Sequence, residues 1–440
     1  MLLSDLNGKS VCILGYGREG KAMVEALQQY APEAKITVAD KNDALQHTSE
    51  ELSAISYQLG SDYLRDLDSF DVIIKSPGIP PHVLKAESRK LTAVITNSTQ
   101  IFLEEAAAHG ATVIGVTGSK GKSTTASLIY SILQTESRKL KAESYLVGNI
   151  GDPAIAHLKD VKPNTIFVLE MSSYQLMDCS SSPPIAVITS FFPEHLDYHG
   201  SLKNYQEAKS HITKFQRECD FVVYDATSPG AQEIAEQSPG RRIATHTDDL
   251  PLTLKDLLLK GEHNLRNAAV AFLTTRLMGV PERISIPVMQ NFRGLPHRLE
   301  SLGVHHRAEW IDDAISTTPE STIAALDALG DRVSIIILGG QDRANDFTAL
   351  GKRIAASSIR SVILFPGSGP RIRKAIEEAR ANVDFFEAGA MEEAVEKAIS
   401  CQLKADSLPI VLLSTASPSY GMFKSFEEKG EAFRTCIQQG

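Results

Sequence analysis

Positions 115–125 read Gly-Val-Thr-Gly-Ser-Lys-Gly-Lys-Ser-Thr-Thr, and this stretch limits the possible folds more than any other in the chain. It follows an apolar run, ATVIGVTG, and leads into a helical pattern, KSTTASLIYSILQ. A strand, a glycine loop and a helix in that order cradle phosphate. The loop amides and a lysine hold the β- and γ-phosphates, and a hydroxyl at the helix start reaches Mg²⁺. The usual spacing GxxxxGK[ST] requires glycine at 116, where this chain has Val116. Gly118, Gly121, Lys122 and Ser123 remain in place, and Ser119, Lys120 and Thr124 complete the candidate phosphate contacts. An anion-free turn is the bland alternative, and two lysines so near the glycines speak against it. A kinase, a motor, a switch and a ligase are all compatible with such a loop.

Short apolar runs alternate with helical patterns along all 440 residues. They include SVCILGYG, KITVAD and DVIIKSPG, then TIFVLEMSS, IAVITSFF and FVVYDA, and later VSIIILGG, SVILFPGSG and IVLLSTAS. This alternation predicts an α/β fold of three domains, each a mostly parallel sheet with flanking helices. Residues 1–97 and 299–440 read as Rossmann-like domains, and 98–298 as a central P-loop-type ATPase domain. Ligands of open parallel sheets sit beyond the carboxyl ends of the strands, where this chain places its unusual residues.

The net charge of -9 excludes bulk attraction to nucleic acid or an anionic membrane. The five cysteines, Cys12, Cys179, Cys219, Cys401 and Cys436, show no CxxC spacing, which fits a reducing compartment. No apolar run reaches the roughly 18 residues of a membrane span, and the N-terminus lacks a signal-peptide pattern. The expectation is a soluble cytoplasmic monomer that acts on small molecules.

Three further features carry chemistry. Gly15-Tyr16-Gly17-Arg18-Glu19-Gly20 follows a strand, precedes a helix and has Asp40 at the end of the next strand. That is the dinucleotide fingerprint, open to a nicotinamide, a flavin or another diphosphate nucleotide. Glu170 ends a strand in the nucleotide block; it is either a second metal anchor or a helix cap beside Ser172 and Ser173. Glu194, His195, Asp197 and His199 crowd the end of another strand, and His195 is a metal ligand if its imidazole is neutral. Lys209, in the helical run NYQEAKSHITKFQ, reads on composition alone as a solvated lysine.

Taken together, TGSKGKST, LEMSSYQL, EHLDYHGSLKNYQEAK, GEHNLRNAAVA, GLPHRLE and LLSTASPSYGMFKSFEEKGEAF resemble the Mur ligases, the ATP-dependent amide ligases of peptidoglycan precursor synthesis. The resemblance covers essentially the whole chain and is strongest to members that add glutamate to UDP-N-acetylmuramoyl-L-alanine. It implies that the first glycine turn holds a UDP sugar, with Arg18, Glu19, Asp40, Ser76, Gly78, Asn149 and His195 around the substrate. It implies ATP contacts from the loop and from Asn264, Asn267, Arg298 and Asp313. Lys122, Glu170, His195 and Lys209 become the catalytic group. Ser123, Glu170, His195 and Lys209 become the metal positions for two Mg²⁺ ions, with Lys209 converted by CO₂ to a carbamate. The implied chemistry activates the substrate carboxylate as an acyl phosphate, which the incoming amine then attacks.

The chain departs from the family pattern around the amino acid. Thr317, Ser419 and Phe426 occupy glutamate-contact positions, but Arg343 stands where the D-glutamate ligases usually carry lysine, and Tyr420 replaces a leucine. Ile315 and Thr318 replace the lysine and asparagine of the common DSKATN. D-glutamate is the expected amino acid and L-glutamate the alternative. An NAD(P)-dependent oxidoreductase built on Gly15–Gly20 would leave TGSKGKST and GEHNLRNAA idle. An inactive binding-only relative is at odds with the intact catalytic group.

Overall fold

The computed structural model describes residues 1–440 apart from 44, 46–54, 81–91, 260, 344, 402–407 and 440. The chain forms two compact units, Met1–Phe292 and Arg293–Gly440. The first unit holds two sheets. Strands β1 (Ser10–Leu14), β2 (Lys35–Asp40), β3 (Ser56–Leu59), β4 (Val72–Lys75) and β5 (Val94–Thr96) are all parallel, in the order β3-β2-β1-β4-β5. The second sheet contains β6 (Thr112–Thr117), β7 (Glu143–Gly148), β8 (Thr165–Glu170), β9 (Ile185–Ile188), β10 (Phe221–Asp225) and β11 (Arg241–Thr245), ordered β11-β10-β9-β6-β8-β7 and again parallel. β6 lies between β9 and β8, so the loops leaving these three strands meet at one end of the sheet, which is where an open α/β sheet binds its ligand.

The second unit carries β12 (Glu300–His305), β13 (Ala308–Asp312), β14 (Val333–Gly340), β15 (Ser361–Gly367), β16 (Asp384–Glu387) and β17 (Ile410–Leu413), ordered β12-β13-β17-β14-β15-β16. The β12–β13 pair is antiparallel and the remaining pairs are parallel.

Central strands are apolar runs because both faces are covered by helices. β8, TIFVLE, and β17, IVLL, are buried at every position. The six edge strands, β3, β5, β7, β11, β12 and β16, have exposed or half-exposed residues that interrupt the apolar pattern. The two sheets of the first unit share a core. Phe102, on the helix Ser98–Ala108, meets Phe167 of β8 edge to face with ring centroids 5.1 Å apart. Such pairs add about 0.5–1.5 kcal/mol beyond the area they bury.

Candidate active site

The missing glycine of the phosphate loop has a simple explanation. Val116 is a buried residue of β6, paired across the ladder with Glu170 of β8. The turn begins two residues later, at Gly118, with φ 154°, and closes at Gly121, with φ 86°. A side chain fits at neither position. A Cβ on Gly118 would lie 2.1 Å from Thr189 Oγ1, and one on Gly121 would lie 2.3 Å from Asn267 Oδ1. Asn267 is itself bonded to Asn264, Nδ2 to Oδ1 at 3.2 Å, so the two asparagines of GEHNLRNAA stand beside the loop as one unit.

Lys122 opens the helix Lys122–Leu140, and its Nζ turns back to donate to the carbonyls of Gly118 (2.9 Å) and Ser119 (3.0 Å). Ser119 is buried, donates to Phe192 O at 2.9 Å and lies 3.1 Å from the Tyr205 hydroxyl. Lys120 points outward and pairs with Glu194 at 2.8 Å. Ser123 is buried in the first helical turn and Thr124 half-buried after it, where the helix start favours anions.

Glu170 ends β8 at 1% exposure. Its Oε1 accepts from Asn149 Nδ2 at 2.7 Å, and its Oε2 has no hydrogen-bond partner. A buried carboxylate oxygen without a donor is costly unless a cation satisfies it. This orphaned atom fits a magnesium site at the carboxyl end of β8.

Lys209 corrects the composition-based reading. It is 1% exposed, and its Nζ donates to Gly118 O (2.8 Å) and Thr117 Oγ1 (3.4 Å). Burial, assisted by the Lys122 charge, pushes its amine well below the usual lysine range, while Glu194 and Glu170 oppose that shift. The sequence held the signal that places it. Tyr205, Ala208, Lys209 and Ile212 fall on one face of the helix Leu202–Lys214, and that face is the buried one.

His195 adopts φ 54°, a left-handed conformation uncommon for histidine, just before the short helix Leu196–His199. Its ring lies 5.2 Å from that of Tyr174 and 6.1 Å from that of Tyr205. His199 is turned inward, with Nε2 3.0 Å from Ser173 Oγ, as part of the core. Asp197 lies outside the described side chains.

At the first glycine turn Asp40 accepts from Tyr16 N at 2.6 Å and Asn42 N at 2.8 Å, so it shapes the loop through backbone donors. Ser76 Oγ donates to Gly15 O at 2.8 Å. Glu19 bridges the two sheets, accepting from Ser98 Oγ at 2.5 Å and Gln175 Nε2 at 2.7 Å. Arg18 is exposed at the first position of the helix Arg18–Tyr30. A pocket is lined by Glu19, Pro77, Gly78, Asn149, Tyr174 and Tyr198, among others. Tyr174 and Tyr198 were not legible as site residues, because their place follows from strand order.

The remaining expected residues belong to the second unit. Asp313, buried after β13, accepts from Ser414 Oγ (2.7 Å) and Leu299 N (3.2 Å); burial pushes its carboxyl up to about 6. Arg298 is exposed and follows His297, whose Nδ1 lies 2.7 Å from Asp312 Oδ2. Phe426 starts the helix Phe426–Gln439, with its ring 6.2 Å from that of His297. Arg343 is held by Gln341 Oε1 (3.2 Å) and lies over the Tyr420 ring at 5.8 Å. Ser419 is buried with its hydroxyl unpartnered, and Thr317 is half-buried.

Comparison with known proteins identifies the family. Residues 116–275 match the Mur ligase middle domain, and 297–416 match the Mur ligase glutamate ligase domain. The UDP-N-acetylmuramoyl-L-alanine--L-glutamate ligase of Salinispora tropica is 34% identical over 100% of this chain and 99% of its own. The UDP-N-acetylmuramoylalanine--D-glutamate ligase of Clostridium tetani is 32% identical over 98% and 96%. Among solved structures, MurF of Acinetobacter baumannii (TM-score 0.57, 15% identity, 98% of this chain and 91% of that one) shares the fold. So does the UDP-N-acetylmuramate-alanine ligase MurC of Thermotoga maritima (TM-score 0.54, 18% identity, 98% and 99%). The loop, the buried carboxylate and the full-length likeness lead to one conclusion: the chain belongs to the Mur ligases, ATP-dependent enzymes that form amide bonds in peptidoglycan precursor synthesis.

Proposed function

We propose that the chain joins D-glutamate to UDP-N-acetylmuramoyl-L-alanine, releasing ADP and phosphate. The first sheet and its helices, residues 1–97, receive the UDP substrate; 98–298 hold ATP; 299–440 bring the amino acid. The observation that carries this reading is two buried groups: Glu170, with one orphaned oxygen, and Lys209, whose amine is bonded to the phosphate loop and is pushed by burial well below the usual lysine range.

The chemistry follows from charge. A substrate carboxylate must approach the γ-phosphate of ATP, so two anions meet, and cations must neutralise the approach. Lys122, the first residue of the helix that follows the loop, would be one. Magnesium, held by Ser123, Glu170, His195 and Lys209, would supply the rest by polarising phosphoryl oxygens. Lys209 joins that set as a carbamate, because an unprotonated amine attacks CO₂ and a cationic one does not. Asn149 orients Glu170, and Asn264 and Asn267 meet the nucleotide. Arg298 and Asp313 contribute further ATP contacts. The resulting acyl phosphate is attacked by glutamate, held by Thr317, Arg343, Ser419, Tyr420 and Phe426.

A second reading, L-glutamate, has its own support. Arg343 lies over Tyr420, where D-glutamate ligases usually carry lysine and leucine, and two of the relatives are L-glutamate ligases. ATP-dependent phosphate release with UDP-N-acetylmuramoyl-L-alanine and either enantiomer, assayed in parallel, decides between them. No release with either sinks both. We place the enzyme in the cytoplasm as a monomer without nucleic-acid or membrane partners; the net charge of -9 argues against bulk attraction to nucleic acid or an anionic membrane, and no described helix is long and apolar enough to cross a membrane.

A further inference from the structure

The turn after β4, Ser76–Pro80, borders the pocket and is gripped from two sides. On one side Ser76 Oγ ties it to the carbonyl of Gly15, in the glycine turn after β1. On the other, the Tyr198 hydroxyl lies 2.9 Å from Pro77 O and 3.0 Å from Ile79 O, its single hydrogen shared between them. Ile79 O also accepts from Lys75 Nζ at 3.0 Å. That ammonium is 2% exposed and pairs with Asp178 at 2.8 Å, so the turn is pinned to the segment following β8.

Tyr198 is also bound to the other end of the site. Its N–H and that of His199 donate to the carbonyl of His195, at 3.2 and 3.0 Å. Its ring packs edge on against Tyr174, 4.3 Å between centroids. An unbroken run of bonds therefore joins the first glycine turn, the Ser76 turn, Tyr198 and the left-handed His195. We propose that Tyr198 is a positioning residue: its hydroxyl sets the His195 turn against the turn that receives the nucleotide-sugar end of the substrate, so that filling the pocket places His195 for metal binding. This rests on the substrate and metal assignment made above. The ring provides packing that phenylalanine would keep, and the hydroxyl provides the link that phenylalanine would lose.

The test compares wild type with Tyr198→Phe and with Lys75→Met/Asp178→Leu, which takes the ammonium from Ile79 O without leaving half-buried Asp178 unpaired. Read out are the KM values for UDP-N-acetylmuramoyl-L-alanine and glutamate, the Mg²⁺ concentration for half-maximal rate, and Tm. Tyr198→Phe should raise the UDP-substrate KM and the Mg²⁺ requirement roughly three- to tenfold each, the effect of one lost buried hydrogen bond. The glutamate KM should stay unchanged and Tm within about 2 °C. The paired variant should move the same two constants in the same direction. Wild-type constants in both variants overturn the proposal, as does a uniform rise in every constant with a falling Tm, the mark of general loosening. A wild-type enzyme that does not turn over the UDP substrate overturns the functional reading, and this inference with it.

Discussion

At the phosphate loop the groups that shape the turn are already committed. Ser119 is buried between Phe192 O and the Tyr205 hydroxyl, Thr189 Oγ1 donates to Lys120 O at 2.6 Å, and both turn glycines have a side-chain oxygen where a Cβ would stand. The segments assigned to the amino acid are more open, although Arg343 donates to Gln341 Oε1. Tyr420 is 53% exposed, Arg343 is exposed, and the buried Ser419 hydroxyl has no partner. The contrast separates two tasks. Phosphoryl transfer needs donors fixed before the reaction, because reorganisation at that moment is costly. Amino-acid choice needs groups whose partners arrive with the ligand, since an unmet polar group discriminates against molecules that fail to meet it.

The comparison can be broken first at its rigid end. Lys209→Ala should lower kcat by about 10²–10³, as removal of one electrostatic stabiliser does, and short carboxylates added to the assay should restore part of it. Phosphate release at wild-type rate without them would show that the buried amine takes no part. At the adaptable end, Arg343→Lys combined with Tyr420→Leu should change the glutamate KM by about tenfold and shift the D/L preference, leaving kcat within about threefold, because a stacked guanidinium and an ammonium are not equivalent. A collapse of kcat instead would mean that this region also shapes the reaction centre.

The smallest effect concerns pH. Burial holds the Asp313 carboxyl at about 6, above its ordinary value, so ionising it costs the folded state. Its contribution to stability is therefore present below about pH 4 and lost as pH rises through about 6. If ionised Asp313 accepts hydroxyl groups of ATP, the ATP KM should rise by a few-fold as pH falls below about 6, and Asp313→Asn should flatten that limb. A wild-type ATP KM that is level across that range would remove Asp313 from nucleotide binding.

How much of this was legible varied with the physics of each part. Central strands announce themselves because a strand buried on both faces must be continuously apolar, as IVLL and TIFVLE are. Edge strands such as β3 and β16 satisfy only one neighbour and carry no such run. The phosphate loop is legible because its contacts are local in sequence. Lys209 was half legible: helical spacing puts it on the buried face with Tyr205 and Ile212, but spacing does not say that the face covers a catalytic loop. Tyr198 and Lys75 were silent, since their partners lie 121 and 103 residues away, at Pro77 and Asp178.

Asn97 stands at the crossing from the first sheet to the second. Its Oδ1 caps the helix Ser98–Ala108 through Gln100 N at 2.7 Å, and its Nδ2 donates to Gln175 O at 2.9 Å. Gln100, one turn on, accepts from the backbone of Ser180 and Ser181. The crossing is thus a mortise, cut by residues of the connection itself into the neighbouring layer. A chimaera spliced there from two relatives would leave the tenon of one parent facing the socket of the other. Such grafts should succeed only when Asn97, Gln100 and the 175–181 segment are exchanged as one piece.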